Sequence, residues 1–273
     1  MRFLRDLFVL LIFLIAFDGL AEESHLRSSI KVESISNSLI LKVGPVSFAT
    51  IDPASSVFKV YSAGDGGPGS PRTLFLGDYI ERASGANVVI SGGYMASFSP
   101  PRPLGFIKVD GKQIGSPHTS WLGTGMFCTD GQHVKIGPFE ELKSDKNFPD
   151  CIQSGPLLIN DGLVRYDSGE KVSAGEEKLV SSVQEQAFIC IDSNNKVILG
   201  VSEPIRLDEF SQLLSSKLNC QNALRLTGQR TAGLQTRLKL FGYDEFPLYS
   251  VIAVLPKEKS KNSSGAGKKE EGH

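Results

Sequence analysis

The stretch Cys151-Ile152-Gln153-Ser154-Gly155-Pro156-Leu157-Leu158-Ile159-Asn160-Asp161-Gly162 constrains the fold most. It reads as a polar corner, a buried strand and a hairpin turn in immediate succession. Gly155 opens backbone conformations closed to other residues. Pro156 fixes its own φ and has no N–H, which suits the first position of a strand. Leu157 to Ile159 is apolar on both faces, the pattern of a central strand. Asp161-Gly162 is a tight-turn signal. Gln153 and Ser154 then stand at the mouth of a sheet beside a rigid neighbour, a common place for a binding or catalytic site. The same two residues also read as an ordinary polar turn.

The same grammar recurs along the chain. Runs 38–43 and 57–61 are short and rich in β-branched and aromatic residues, so they predict strands. Residues 64–71 hold four glycines and two prolines and predict a loop. Leu74 to Ala83 has helical apolar spacing, with Ser84-Gly85 as its stop. Asn87 to Ile90 predicts a strand that runs into Ser91-Gly92-Gly93-Tyr94, and paired glycines there let a backbone or a ligand approach closely. Asp110-Gly111 and Asp130-Gly131 predict two hairpins. Residues 165–184 are polar and predict irregular structure.

The last third predicts strand, strand, helix, strand. Ala187 to Ile191 and Val197 to Val201 flank an Asp192-Ser193-Asn194-Asn195 turn. Leu207, Phe210, Leu213, Leu214 and Leu218 share one helix face. Ala223 to Leu226 returns as a strand, and a strand–helix–strand unit of this length favours parallel pairing with a right-handed crossover. Thr227-Gly228-Gln229-Arg230-Thr231-Ala232-Gly233 follows as a polar loop past a strand's C-terminal end, where open α/β sheets bind ligands. Strands near 234–240 and 248–254 close the fold.

The N-terminus reads as a removable leader. Arg2 and Arg5 precede an unbroken apolar run from Leu7 to Phe17, and Gly19-Leu20-Ala21 supplies small residues for cleavage. A membrane anchor is the alternative, but the run is short for a bilayer. This divides the chain into a signal peptide (1–21), one domain (29–255) and a disordered tail (256–273), whose Lys, Glu, Ser and Gly lack apolar partners. No linker-like break falls in the middle, so one large domain is expected. Export to the periplasm or the exterior makes disulfides natural for Cys128, Cys151, Cys190 and Cys220. Three complete pairings remain open, and Cys190, inside an apolar run, also suits a buried free thiol.

The 273 residues are 40% hydrophobic and 22% charged with net charge −1, ordinary globular values that give nucleic acid no basic surface. No spacing of Cys and His suggests zinc, and no cofactor motif occurs: G-x-S-x-G, a P-loop and H-E-x-x-H are all absent. Nothing in the sequence sets an oligomeric state.

The order of three elements resembles the phosphodiester glycosidase family, in its small exported bacterial branch. These are the strand ending in a glycine pair (Val88 to Tyr94), Gln153-Ser154-Gly155-Pro156-Leu157-Leu158, and the helix–strand–polar loop from Leu207 to Leu234, with Asn222-Ala223-Leu224 in support. The similarity covers residues 38–254. It implies an α+β fold with a mixed sheet, and hydrolysis of a sugar-1-phosphodiester. That chemistry needs a carboxylate as acid, base or nucleophile.

The chain departs from the family at polar positions. Ser91 stands where the family has Asn. Thr227-Gly228-Gln229 stands where it has Asp-Gly-Gly, and Glu185-Gln186 where Arg often lies. Thr227 cannot serve as acid or base near neutral pH. Two accounts follow. In one, chemistry is rearranged: Glu203 and Asp130 are the candidate catalytic carboxylates. Ser91, Gly92, Gly93, Gln153, Ser154, Gly155, Thr227 and Gly228 then form the substrate site, and Arg230 and Arg225 hold phosphate. In the other, the scaffold has lost catalysis and binds a sugar phosphodiester, glycan or phosphate in the same pocket, and a plainer reading is a secreted interaction domain with no ligand. Plain readings also stand: Glu203 as a charge ahead of a helix, Asp130 as a turn former, Arg230 as a solvated loop residue.

Gly19-Leu20-Ala21 is the only good cleavage site after the apolar run. N-terminal sequencing of the exported protein is expected to start near Glu22, and retention of Met1 would point to the membrane anchor instead.

Overall fold

The computed structural model describes residues 31–35, 38–66, 73–166 and 172–257. The expected leader (1–21), most of the tail and part of the 64–71 loop lie outside the described residues.

Three sheets form the domain. The first runs β1 (Lys31–Ile35), β2 (Ser38–Val43), β3 (Val46–Ile51), β17 (Val197–Ser202), β16 (Gln186–Asp192), β19 (Cys220–Gly228), β13 (Leu157–Asn160), β14 (Leu163–Val164). The second runs β11 (Val134–Pro138), β10 (Gly125–Thr129), β12 (Asp150–Ser154), β8 (Ile107–Val109), β9 (Lys112–Gln113). The third runs β21 (Leu240–Gly242), β20 (Gly233–Thr236), β5 (Val88–Ser91), β22 (Ser250–Pro256), β4 (Ser56–Ser62). Two short ribbons pair β6 (Met95–Phe98) with β7 (Pro101–Pro103), and β15 (Val183–Gln184) with β18 (Ile205–Arg206). The helices are α1 (Leu76–Arg82), α2 (Phe139–Leu142), α3 (Ala174–Ser181) and α4 (Leu207–Leu218).

Strand alternation explains how these layers pack. Successive side chains point to opposite faces of a strand. In β16, Ala187, Ile189 and Ile191 face a core shared by all three sheets, while Phe188 and Cys190 face the other way. In β10, Phe127 faces the shared core and Met126 and Cys128 face outward. In β5, Val88 and Ile90 face it and Val89 faces outward. Each outer face is then covered by helix, with α3 joining α4 on the first sheet through Leu179 and Val180. Phe210 and Leu214 of α4 pack on the first sheet, with Phe188 and Phe210 edge to face at 5.3 Å. Phe139 and Leu142 of α2 cover the second, and Leu76 and Tyr79 of α1 the third.

The expected hairpins form where Asp-Gly stands. Asp110-Gly111 has φ of 48° and 79°, and Asp161-Gly162 has 49° and 80°. These are the positive values such two-residue turns require. α4 ends at Asn219, whose φ of 53° places it in the left-handed region that Asn tolerates. α1 starts two residues later than its apolar spacing suggests. Leu74 forms a bridge with Leu248 instead, and the Asp244 carboxylate accepts the Leu76 N–H at 2.8 Å.

Two expectations need correction. Every strand pairing among the described residues is antiparallel, so the sheet is not mixed and the crossover makes no parallel pair. The reason lies in the β16–β17 hairpin. It leaves one edge of β16 free, and α4 carries the chain across to that edge. β19 therefore runs parallel to β17 but two positions away, with β16 between them. The second correction concerns 165–184, where α3 forms. The Ser173 hydroxyl caps it by accepting the Glu176 N–H at 3.4 Å. Glu176 is buried, bonding Arg165 Nε at 2.9 Å and the Tyr166 hydroxyl at 3.1 Å. Ser173-Ala174-Gly175-Glu176 carries the serine-to-glutamate spacing of a helix start. What remains is an α+β domain dominated by sheet.

All four cysteines are paired. Cys128 and Cys151 face each other across β10 and β12. Cys190 joins Cys220, so the free-thiol reading of Cys190 does not hold. The second bridge closes 30 residues of chain, including the β16–β17 hairpin and α4. Chain-entropy arithmetic for such a loop gives about 3–4 kcal/mol. Replacing Cys190 and Cys220 together by Ala should lower unfolding stability by that amount in a denaturant titration, with the fold retained.

Candidate functional site

The C-terminal ends of three strands meet at one place, one strand from each sheet. Ser91 ends β5, Ser154 ends β12, and Thr227-Gly228 ends β19. The Ser91 and Thr227 hydroxyls lie 3.1 Å apart. The Ser154 hydroxyl donates to the Leu226 carbonyl at 2.6 Å. Tyr94, next to the glycine pair, donates from its hydroxyl to the Gly155 carbonyl at 2.6 Å. Residues distant in sequence are thus brought together: Ser91, Gly92, Gly93, Gln153, Ser154, Gly155, Thr227 and Gly228.

Most of their polar capacity is already used inside the protein. Gln153 Oε1 accepts from the Phe106 and His118 N–H groups at 2.8 and 2.9 Å. Its Nε2 donates to the His118 and Gly123 carbonyls at 2.7 and 2.8 Å. A primary amide has two donors and two acceptor sites, so nothing of Gln153 is left for a ligand. Thr227 Oγ1 donates to the Thr231 carbonyl at 3.0 Å, and Ser91 Oγ also bonds the Gly233 carbonyl at 3.2 Å.

The glycines serve close packing. A Cβ on Gly92 would lie 2.7 Å from the Ser250 carbonyl oxygen, and one on Gly93 3.0 Å from the Gln153 carbonyl oxygen. One on Gly155 would lie 2.9 Å from the Trp121 carbonyl oxygen. The approach that Gly92-Gly93 allows is therefore backbone against backbone. Gln153 demands glycine in the same way at two other places. Its side chain lies 2.7 Å from where a Gly123 Cβ would be and 3.0 Å from a Gly105 Cβ, and Gly105 also has φ +106°.

Arg225 is the one charged side chain buried in this cluster. It is 2% exposed. Its Nε donates to Gln186 Oε1 at 2.5 Å, an Nη donates to the Tyr94 hydroxyl, and the guanidinium lies 5.5 Å over the Tyr94 ring. Burial, with no carboxylate against it, pulls the guanidinium down to about 9, still charged at neutral pH. Tyr94 and Gln186 were not read as site residues in the sequence. Arg225 was visible as a charge inside Ala223-Leu224-Arg225-Leu226, a pattern that calls for a buried partner.

Three candidates stand outside the buried cluster, Asp130 far from it and Arg230 and Glu203 on the exposed surface beside it. Asp130 sits in the β10–β11 turn, at the opposite end of β10 from Gly125, which pairs with Ser154. Its carboxylate accepts the Gln132 and His133 N–H groups at 2.9 and 2.7 Å and bonds His133 Nδ1. These bonds hold it below the ordinary carboxylate value against the opposing effect of burial. It is a turn former. Arg230 is exposed and pairs with Glu245 at 3.4 Å. Glu203 is exposed and paired with Lys42 at 2.5 Å.

Glu203 does line a cleft of about 280 Å³ together with Glu185, Phe241 and Tyr243. A hydrogen bond to Glu185 raises the Tyr243 phenol above its ordinary value. The cleft adjoins the cluster, because the Gln229 N–H donates to the Glu185 carbonyl at 3.1 Å. Two larger clefts, of about 580 and 410 Å³, are lined by none of the cluster residues.

The bonding of Gln153 makes a prediction. Replacing Gln153 with Ala leaves the backbone groups of Phe106, His118 and Gly123 without partners. Each buried polar group left unpaired costs about 1–3 kcal/mol. Gln153→Ala is expected to lose at least about 3 kcal/mol in chemical denaturation. A variant as stable as wild type would contradict the bonding described.

A model of the phosphodiester glycosidase family matches residues 84–246, well over half of the chain. Curated protein sequences give no match. Among solved structures, the catalytic domain of zebrafish N-acetylglucosamine-1-phosphodiester α-N-acetylglucosaminidase, auto-inhibited by its pro-peptide, superimposes with a TM-score of 0.62 at 16% identity. That match covers 84% of this chain and 82% of that one. A hypothetical protein from Synechocystis gives 0.56 at 16% identity over 84% of this chain, which spans only 61% of that longer one. A Burkholderia pseudomallei protein described as exported gives 0.54 at 9% identity, covering 84% and 76%. At these identities the structures establish a shared fold, and with the sequence match they lead to one conclusion: the chain belongs to the phosphodiester glycosidase family.

Proposed function

We propose that this chain is an exported family member that binds a sugar phosphodiester and turns it over poorly or not at all. One observation carries the reading. Where the resemblance implies Asn and Asp, the chain has two hydroxyls, Ser91 and Thr227, bonded to each other and to backbone carbonyls. Glycoside cleavage needs a proton donor for the leaving group and a base or nucleophile on the other side. Neither hydroxyl titrates near neutral pH, and among the described residues no carboxylate bonds to either. Where the resemblance implies Arg, the chain has Glu185-Gln186, with Glu185 bonded to Tyr243 and Gln186 to Arg225.

Export is part of the same proposal. Two disulfides suit an oxidising compartment. The apolar run from Leu7 to Phe17 supplies the leader. The domain so delivered would run from about residue 29 to 255, in the periplasm or outside the cell.

A second reading rests on the cleft that Glu185 and Glu203 share. Two carboxylates on one cleft are the minimum equipment for glycosidase chemistry in a new position. One assay separates the two. Purified mature protein is incubated with an N-acetylglucosamine-1-phosphodiester and release of the sugar is followed. Loss of a catalytic group typically costs about 10²–10⁴ in rate, so turnover should stay well below the ordinary range that begins near about 1 s⁻¹. Turnover above that value, abolished by Glu203→Gln, would replace the binding reading with rearranged catalysis.

A further inference from the structure

Arg225 poses a physical problem that the contacts within the protein do not solve. A buried charge normally has an opposite charge and a full set of hydrogen bonds. Arg225 has neither. Its two polar partners, the Gln186 amide oxygen and the Tyr94 hydroxyl, are both neutral. No carboxylate among the described residues pairs with it, and burial is the sole influence on its titration.

Its neighbours hold it in a definite direction. Gln186 is itself fixed, donating from Nε2 to the Gln184 carbonyl at 3.0 Å. Tyr94 is anchored on the Gly155 carbonyl. The guanidinium is thereby clamped at Nε and at one Nη. The other nitrogen, Nη2, lies directly against Gly228, so close that any Cβ at 228 would overlap it. Gly228 is only partly buried and opens the exposed loop through Gln229 and Arg230. A side chain at 228 would displace the guanidinium, whereas glycine lets Nη2 pack against the backbone at the start of that loop.

We propose that Arg225, clamped by Gln186 and Tyr94 beneath Gly228, is the anion-holding group of this chain and takes a phosphate oxyanion. A guanidinium presents its N–H groups as a planar fork that matches phosphate oxygens. A phosphate there supplies the missing counter-charge. This deepens the reading of a sugar phosphodiester ligand and rests on it for the sugar alone. It moves the anion contact from the exposed Arg230, which already pairs with Glu245, and from the saturated Gln153 to a residue inside the fold.

Calorimetry on the mature protein tests it with three probes: inorganic phosphate, a sugar 1-phosphate and the matching neutral sugar. Both phosphates should bind and the neutral sugar should not bind at the same concentrations. Arg225→Gln should weaken phosphate binding by at least about tenfold, the scale of a lost bond to a charged group. Arg225→Lys should retain part of the affinity, because it keeps the charge and loses the fork. Arg230→Gln should leave the affinity within about twofold, as expected for a screened surface charge. A folded Arg225→Gln that binds phosphate as wild type does would overturn the proposal. So would a wild-type protein that binds neither phosphate at about 10 mM. Should Arg225→Gln fail to fold, the wild-type Nε–H resonance of Arg225 decides. A shift on adding phosphate supports the site, and an unchanged resonance refutes it. Turnover of a phosphodiester would overturn the non-catalytic reading while leaving this phosphate site intact.

Discussion

The four hydrogen bonds of the Gln153 amide organise the end of the domain where the sheets meet. β12 is a strand of the second sheet, and its Gln153 side chain points away from the shared core. There it gathers the backbone at Phe106, His118 and Gly123. Glycine is required on two sides of it, because a Cβ at 105 or 123 would meet the amide. With those loops fixed, Gly93 can pass against the Gln153 carbonyl, Tyr94 can reach Gly155, and Arg225 can reach Tyr94. A buried amide satisfied at every site is rigid because any displacement breaks several bonds at once.

The legible parts of the sequence were those with a local cause. Asp110-Gly111 and Asp161-Gly162 form their turns because the conformation is written in two residues. The face of α4 was equally plain, since Phe210, Leu214 and Leu218 repeat at helical spacing. The direction of strand pairing was not local. Whether β19 joins β17 or the far edge of β16 depends on which edge is free, and a crossover helix reads the same in both cases. α3 was hidden differently. Its stretch looks polar because its buried residue is Glu176, which enters the core only with Arg165 and Tyr166 as partners.

The convergence of Ser91, Gln153 and Thr227 was legible as place and misleading as role. Polar residues at strand ends mark either a site or the framework that holds one, and sequence does not distinguish the two. Partner count does: Gln153 has four partners, all within the chain, and the two hydroxyls bond to one another. Asp130 and Glu203 stand out in the sequence by their charge. Charge alone does not place Asp130 near a site, because an Asp before Gly is also the residue that a tight turn recruits.

Charge accounting across the cluster gives the last step. Where the resemblance implies a carboxylate at 227 and a cation near 185, the chain carries a neutral hydroxyl and Glu185-Gln186, and its buried cation is at 225. A cation therefore remains in the cluster at a different position, while position 227 carries no charge. A catalytic carboxylate must give or take a proton during cleavage, whereas a guanidinium stays protonated and serves only to hold an anion. On the proposed reading, a hydroxyl at 227 and a guanidinium at 225 suit the chain to hold a phosphate rather than to move a proton. Arg225 could not be buried at neutral pH without such a partner except at a large desolvation cost.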